Sequence, residues 1–289
     1  MPYGLEDLTV AITSYRRPGA LAETLEALRN VPNVEVMLNG SGMDEYQEVV
    51  ETFLGEVKFA HNVRNLGAAT AANRLIVESG TRFVVWATDS CDFSVEWWRP
   101  ILELLNSESP PKEMSLSSPQ RFTAVLLDKD LLGMQGFYDH NFTQVYYEDE
   151  DMFLRTLERL GLHEADVGLA DAMPIVPVVA SRWSSKKAWN SIPNRTYFWR
   201  KWERVDDETP GHLKLREDIA VRRKLPEPHF PFLALVQERY KRGDYSALPF
   251  VYDPPSKGQI ALTRATSNPV VTRARYVVSR LTNPSGSLK

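Results

Sequence analysis

The sequence predicts an α/β fold, a mostly parallel sheet with helices on both faces. Three observations predict it. Short apolar runs alternate with helix-spaced segments through the first third of the chain. The 289 residues are 43% hydrophobic and 25% charged, enough for one sizeable core. Asn39 and Asp89 each follow an apolar run, where parallel sheets collect their ligands.

The elements follow in order. Leu8 to Thr13 (LTVAIT) reads as a buried strand. Pro18 suits a first helical turn, and Leu21, Leu25 and Leu28 give that helix its apolar stripe. Val34 to Leu38 is a second strand, ended by the loop signal Asn39-Gly40-Ser41-Gly42. Tyr46 to Leu54 is helical, Val57 to Ala60 a short strand, and Ala68 to Glu78 an alanine-rich helix. Arg82 to Ala87 is a strand running into Thr88-Asp89-Ser90-Cys91-Asp92. Trp97 to Leu105 is helical, Phe122 to Leu127 a strand, and Pro174 to Val179 a late strand.

Composition narrows the function classes. The formal net charge of -4 excludes a chain that is basic throughout. No apolar run approaches the roughly 18–20 residues that span a bilayer. The N-terminus lacks a signal-peptide pattern, and Cys91 is the only cysteine. A reducing, cytoplasmic setting is the simplest expectation. There is no Gly-rich phosphate loop of dinucleotide or Walker type. His61, His140, His163, His212 and His229 have no metal-ligand spacing.

Charge is unevenly placed. Glu148-Asp149-Glu150-Asp151 puts four carboxylates at a predicted helix start. Phe153, Leu157 and Leu160 define an apolar stripe that reaches back to Asp149, and Asp151 can reach Arg155 at i+4. Acids suit a helix N-terminus because of its dipole; a carboxylate on an inward stripe also suits a general base at a cleft. Ser181 to Arg204 then holds seven Lys/Arg against Glu203 alone, interleaved with Trp183, Trp189, Tyr197, Phe198, Trp199 and Trp202. Pro254 to Lys289 carries six Lys/Arg and no acid.

Three blocks in one order carry a resemblance. They are Leu8 to Leu28; Asn62-Val63-Arg64-Asn65-Leu66-Gly67 with Ala71-Ala72-Asn73 and Asp89; and Gly136-Phe137-Tyr138-Asp139 leading to Tyr147-Glu148-Asp149-Glu150-Asp151 and Leu154-Arg155. Together they resemble the family 2 glycosyltransferases over about residues 7 to 180. The resemblance implies the GT-A fold, a Rossmann-like mixed sheet, here with a C-terminal helical or irregular extension. It implies a catalytic domain over 1–180, with a nucleotide-sugar half at about 7–92 and an acceptor half at about 93–180. A basic aromatic extension, 181–253, and a basic tail, 254–289, follow.

The resemblance also implies roles. Thr13, Ser14, Tyr15 and Arg17 would pack on the nucleotide of a sugar donor, UDP-linked by expectation. Asn39 stands where the family usually offers an Asp to the base. Asn65 and Gly67 would line the nucleotide pocket, and Asn73 would either contact the nucleotide or brace the loop. The family's Asp-x-Asp motif binds ribose and a divalent metal, Mg or Mn. Here it reads Asp89-Ser90-Cys91-Asp92. Either Asp89 and Asp92 hold the metal, or metal dependence is weakened. Arg182 would supply charge to the leaving diphosphate. Asp149 would be the base of an inverting transfer, with Glu148, Trp97 and Trp183 on the acceptor.

The expected acceptor is a saccharide, free or lipid-linked. A modified base in DNA is the alternative, through the basic aromatic stretch 181–204. A non-catalytic nucleotide-sugar-binding module is a further alternative, prompted by Cys91. The tail could touch an anionic membrane surface or dock on its own domain.

Overall fold

Leu8–Ser14 forms β1, an interior strand of a six-stranded sheet. The computed structural model describes residues 2–40, 42–62, 65–93, 96–108, 113–115, 124–130, 132, 136–142, 146–160, 176–177, 194, 197–198, 201–204, 221–223 and 261. The side chains of 113–115, 153, 156–160, 176–177, 203–204 and 221–223 are outside that description.

Helix α1 (Pro18–Ala27) opens on a proline whose fixed φ suits the first turn. Its stripe of Leu21, Leu25 and Leu28 is fully buried against β1 and β2 (Val34–Asn39). Helix α2 (Met43–Thr52) starts three residues earlier than its apolar spacing predicts. Strand β3 (Lys58–Asn62) pairs parallel with β2, and α3 (Ala68–Glu78) carries the chain back to β4 (Phe83–Thr88). Strands β2 and β4 flank β1, both parallel to it. The chain therefore reverses its winding direction at β1, and the C-terminal edge between β1 and β4 is the topological switch point.

The two faces are packed differently. Val10, Ile12 and Val85 meet α1, α2 and α4 (Trp98–Leu105) on one side. Ala11, Met37, Val84 and Trp86 meet α3 on the other, where Ala69 and Ala72 let the helix lie close. Met152 of α5 (Glu148–Leu160) and the turn residues Phe137 and Tyr138 join that second face.

Beyond β4 the sheet turns antiparallel. Strand β7 (Ala124–Asp128) pairs antiparallel with β4, and β6 (Glu113–Ser115) with β7, which completes the order β3-β2-β1-β4-β7-β6. Arg82 pins this junction with a two-pronged grip on Asp128, Nε to Oδ1 at 3.0 Å and Nη2 to Oδ2 at 2.9 Å. Cys91–Asp92 forms a short strand, β5, instead of a pure loop; it pairs antiparallel with β8 (Val176–Pro177), inside the predicted late strand. A separate ribbon joins β9 (Trp202–Arg204) to β10 (Val221–Arg223). Among the described residues no helix is long and apolar enough to cross a membrane.

Candidate active site

The switch point carries a hydrogen-bonded cluster. Ser14, the last residue of β1, donates to Asp89 Oδ2 at 2.7 Å. The Arg17 guanidinium approaches Asp89 Oδ1 at 3.4 Å. Tyr46 on α2 ties the loop down: its hydroxyl is 2.8 Å from Ser14 Oγ and accepts from the Arg17 backbone N–H at 2.9 Å. Thr24 donates to the carbonyls of Asp89 and Cys91. Burial pushes the Asp89 carboxyl up, and the Ser14 and Arg17 contacts only partly offset it. Tyr15 is exposed on the rim, with Arg16 over its ring at 5.3 Å. Thr13 faces Thr88 across the β1–β4 pair. Tyr46 and Thr24 were not among the predicted site residues; nothing in their local sequence marks them, because both act across the fold.

Asn39 is buried and surrounded by partners. Its amide nitrogen donates to Asn65 Oδ1 and to the Gly67 carbonyl, each at 3.1 Å. Its oxygen accepts from Asn62 Nδ2 at 3.0 Å and from the Leu66 N–H at 3.1 Å. Two donors and two acceptor positions are all an amide has. Asn39 thus holds the 65–67 loop from beneath. Asn65 also accepts from the Gly67 N–H at 2.8 Å, and Gly67 sits at φ 83°, a left-handed conformation that suits glycine. Asn73 bonds elsewhere than the 65–67 loop: Nδ2 donates to the Tyr138 carbonyl and to His140 Nε2, and Oδ1 accepts from the Tyr138 N–H. The 136–142 turn is thereby fixed to α3.

The residues of the metal motif separate. Cys91 is buried in the core and its thiol is pushed up to about 11, chiefly by burial, so it stays neutral. Asp92, next on the strand, points to the opposite face and is partly exposed. Among the described residues no group of three His, Cys, Asp or Glu could hold a metal ion. Asp89 and Asp92 are the two carboxylates left in this motif, of the oxygen type that Mg²⁺ takes. Arg182 and Trp183 lie outside the described residues, as do most of 181–253 and of the tail.

One expectation on the acceptor side changes. Trp97 does not face a cleft; it is packed in the core, edge-on to Phe93 with ring centroids 5.1 Å apart. It precedes an amphipathic helix whose buried stripe continues through Ile101 and Leu105, and helical spacing draws it inward. The side chains of Phe153, Leu157 and Leu160, the predicted stripe of α5, lie outside the described residues; Leu154 is buried. Glu148, Asp151, Met152 and Arg155 are buried, at the i, i+3, i+4 and i+7 spacing of one face. Asp149 is partly exposed beside that face.

This arrangement sets the acid chemistry. Asp149 Oδ1 accepts from the Glu150 N–H at 2.9 Å, a favourable contact at a helix start. Burial outweighs that contact and the other nearby backbone amides, and pushes the Asp149 carboxyl up to about 6. Glu148 is pushed well above the usual carboxylate range, by burial first and then by Asp149. Among the described residues its Oε2 has no hydrogen-bond partner. The turn before it is strained: Tyr146 and Tyr147 have φ of 80° and 73°, at a cost of about 1–3 kcal/mol each for bulky residues.

Next to the acids lies a buried charge network. Lys201 Nζ contacts Asp151 Oδ1 at 2.6 Å and Asp139 Oδ2 at 3.0 Å, all three side chains 0% exposed. Arg155 Nε donates to Asp151 Oδ2 at 2.9 Å, the predicted i+4 pair. Its Nη groups donate to the carbonyls of Gly136 and Phe137. Trp202 Nε1 donates to Asp151 Oδ1 at 2.8 Å, and Tyr197 OH to Asp139 Oδ2 at 2.9 Å. Burial pushes Asp151 up, but Lys201, Arg155 and Trp202 together hold its carboxyl below the usual range. Burial and the charges of Asp139 and Asp151 push the Tyr197 hydroxyl far up.

Comparison with known proteins gives a partial sequence match and a shared fold. The sequence profile of glycosyl transferase family 2 matches residues 9–110. Over that stretch the chain is similar to glycosyl transferase family 2. The fold agrees. The mannosyltransferase PcManGT from Pyrobaculum calidifontis, solved with GDP-Man and Mn²⁺, is 14% identical with a TM-score of 0.52, over 96% of this chain and 81% of that one. Residues 1–349 of S. aureus TarS are 12% identical with a TM-score of 0.50, over 96% and 92%. GalNAc-T7, solved with UDP, GalNAc and Mn²⁺, is 11% identical with a TM-score of 0.47; 67% of this chain covers 50% of that one. A longer TarS structure is covered over 43% of its length. No curated protein matches by sequence. The mixed sheet with flanking helices is thus the GT-A fold expected of this glycosyltransferase family.

Proposed function

We propose that this chain is an inverting glycosyltransferase that moves a sugar from a nucleoside-diphosphate sugar to an acceptor hydroxyl. The observation that carries the reading is Asp149: a partly exposed carboxylate at a helix start, made a stronger base by burial. A base near 6 is charged at neutral pH and accepts a proton far better than a surface aspartate. In the reaction Asp149 takes the acceptor's hydroxyl proton as the oxygen attacks the anomeric carbon. The bond from that carbon to the diphosphate oxygen breaks, the nucleoside diphosphate leaves, and the configuration inverts. Glu148, whose carboxyl is pushed up by burial and by Asp149, would contact the acceptor beside it.

The donor would lie over the β1–β4 switch point against Ser14, Tyr15, Arg17 and Asp89, with Asn39, Asn65 and Gly67 shaping the pocket floor. GDP-Man in the PcManGT structure supports a nucleotide-sugar donor, and UDP as its nucleotide remains our proposal. Asp89 and Asp92 would hold a divalent ion, which when bound supplies positive charge to the leaving diphosphate. The Mn²⁺ in the PcManGT structure supports this. The acceptor is proposed to be a saccharide, free or lipid-linked. The DNA alternative loses support where the aromatic stretch is described: Tyr197, Phe198 and Trp202 are buried and offer no free face for a base.

The test is release of nucleoside diphosphate from a panel of UDP- and GDP-sugars, with Mn²⁺ or with EDTA. Turnover of one donor, lost in EDTA, is expected. No release from any donor would leave only a binding module, and full turnover in EDTA would remove the metal from the reaction.

A further inference from the structure

The Glu148–Asp149 pair is gripped from both sides by one distant segment. Ahead of the pair, Asn194 Nδ2 donates to the Tyr146 carbonyl at 3.0 Å, and the Phe198 ring packs on Tyr147 with centroids 5.4 Å apart. Behind it, Lys201 and Trp202 both bond Asp151 Oδ1. Lys201 and Tyr197 also bond Asp139, in the turn that Asn73 fixes to α3. Residues 194, 197, 198, 201 and 202 thus join the strained turn, the acid helix and the 136–142 turn. Tyr146 and Tyr147 hold left-handed φ values that bulky residues leave unless their surroundings enforce them.

We propose that Lys201, with Asn194, Tyr197 and Trp202, is a positioning clamp that holds the Tyr146–Asp149 turn so that Asp149 faces the acceptor. These residues act through the turn and touch no reacting atom. The proposal rests on Asp149 being the base. A base must lie within hydrogen-bond reach of the proton it takes, and a shift of about 1 Å can cost on the order of a hundredfold in rate. Core glue alone would not need contacts on both flanks of the acid pair, nor one on the strained carbonyl of Tyr146.

Full-length Lys201→Met, Asn194→Ala and Asp149→Asn are compared with the wild type. The readouts are folding by near-UV circular dichroism, and kcat, donor KM and the pH profile of transfer. In the clamp variants kcat should fall about ten- to a hundredfold, while donor KM stays within about threefold. The acid limb of the profile should also move, since Glu148, Glu150 and Tyr146 surround Asp149 and would shift with it. Folded variants with wild-type kcat and acid limb would overturn the clamp. So would kcat and donor affinity failing together, the mark of general loosening. If Lys201→Met does not fold, Asn194→Ala decides the question by the same readouts. Transfer surviving in Asp149→Asn removes the base assignment itself; transfer lost there but intact in the clamp variants removes only the clamp.

Discussion

The donor edge and the acid helix are built on opposite principles. At the donor edge, loop residues next to strand ends hold one another by short hydrogen bonds, mostly between neutral groups: Ser14 and Tyr46, Asn39 and Asn65, and Asn39 with Asn62 and Leu66. The exception is Asp89, whose ion-pair partner Arg17 is exposed to solvent over 42% of its side chain. At the acid helix, two carboxylates and two cations are buried without exposure, and their partners come from 50 to 62 residues away in four of the contacts. Losing one hydrogen bond in the first region strands no buried charge. The second cannot lose one charge without stranding another.

The largest expected effect tests the acid side. Asp149→Asn should lower kcat by about 10²–10⁴-fold, with donor affinity by calorimetry unchanged. Near-normal turnover would break the assignment. Next, Lys201→Met should cost about 3–5 kcal/mol of stability, the usual result of stranding buried charge. Denaturant unfolding reads this directly, and a loss under about 1 kcal/mol, of surface ion-pair size, would mean the network is no more than a solvated one.

A smaller effect is expected at the donor edge. Asn39→Asp restores the residue usual in the family but removes two donors, to Asn65 Oδ1 and the Gly67 carbonyl. About 1–3 kcal/mol should be lost, with weaker donor binding as the 65–67 loop loosens. A more stable or tighter-binding variant would show that the loop does not depend on the amide.

The smallest effect separates the regions by pH. The Asp149 carboxyl titrates higher in the folded chain than in the unfolded one, so its contribution favours the fold at low pH and is lost as pH rises through about 6. Asp149→Asn should therefore raise Tm slightly above pH 6, and the gain should vanish below about pH 4, the ordinary aspartate range. Asp151 has the opposite sign: its lowered carboxyl stabilises the fold above the ordinary range and loses that effect as pH falls through the folded value. Asp149→Asn gaining stability at pH 4 instead would contradict the raised Asp149 carboxyl.

What is legible in the sequence follows the same division. Each parallel strand and its helix can be read directly, since hydrophobic spacing is local, and Leu21, Leu25 and Leu28 lie where their period puts them. Asn39, Asp89 and the Asp151–Arg155 pair are reachable because strand ends and helix turns place them. Trp97 misleads because an aromatic residue near a predicted acceptor region also suits a core. The buried face of α5 is hard to read because charged residues hide an inward stripe: Asp151 and Arg155 point inward only because Lys201, Trp202 and the turn carbonyls neutralise and satisfy them. No spacing rule links residue 201 to residue 139. Basic, aromatic composition at 194–202 resembles a ligand surface, and where described it is an interior.

Cys91 has one further consequence. It is the single cysteine of the chain, it is buried, and its thiol stays protonated until about pH 11. A maleimide or disulfide reagent should ignore the native protein and react only when the β4–β5 region opens. The chain therefore carries its own reporter of opening. A cysteine placed at Leu54, which is 76% exposed, would take a single fluorophore while the native thiol stays in place.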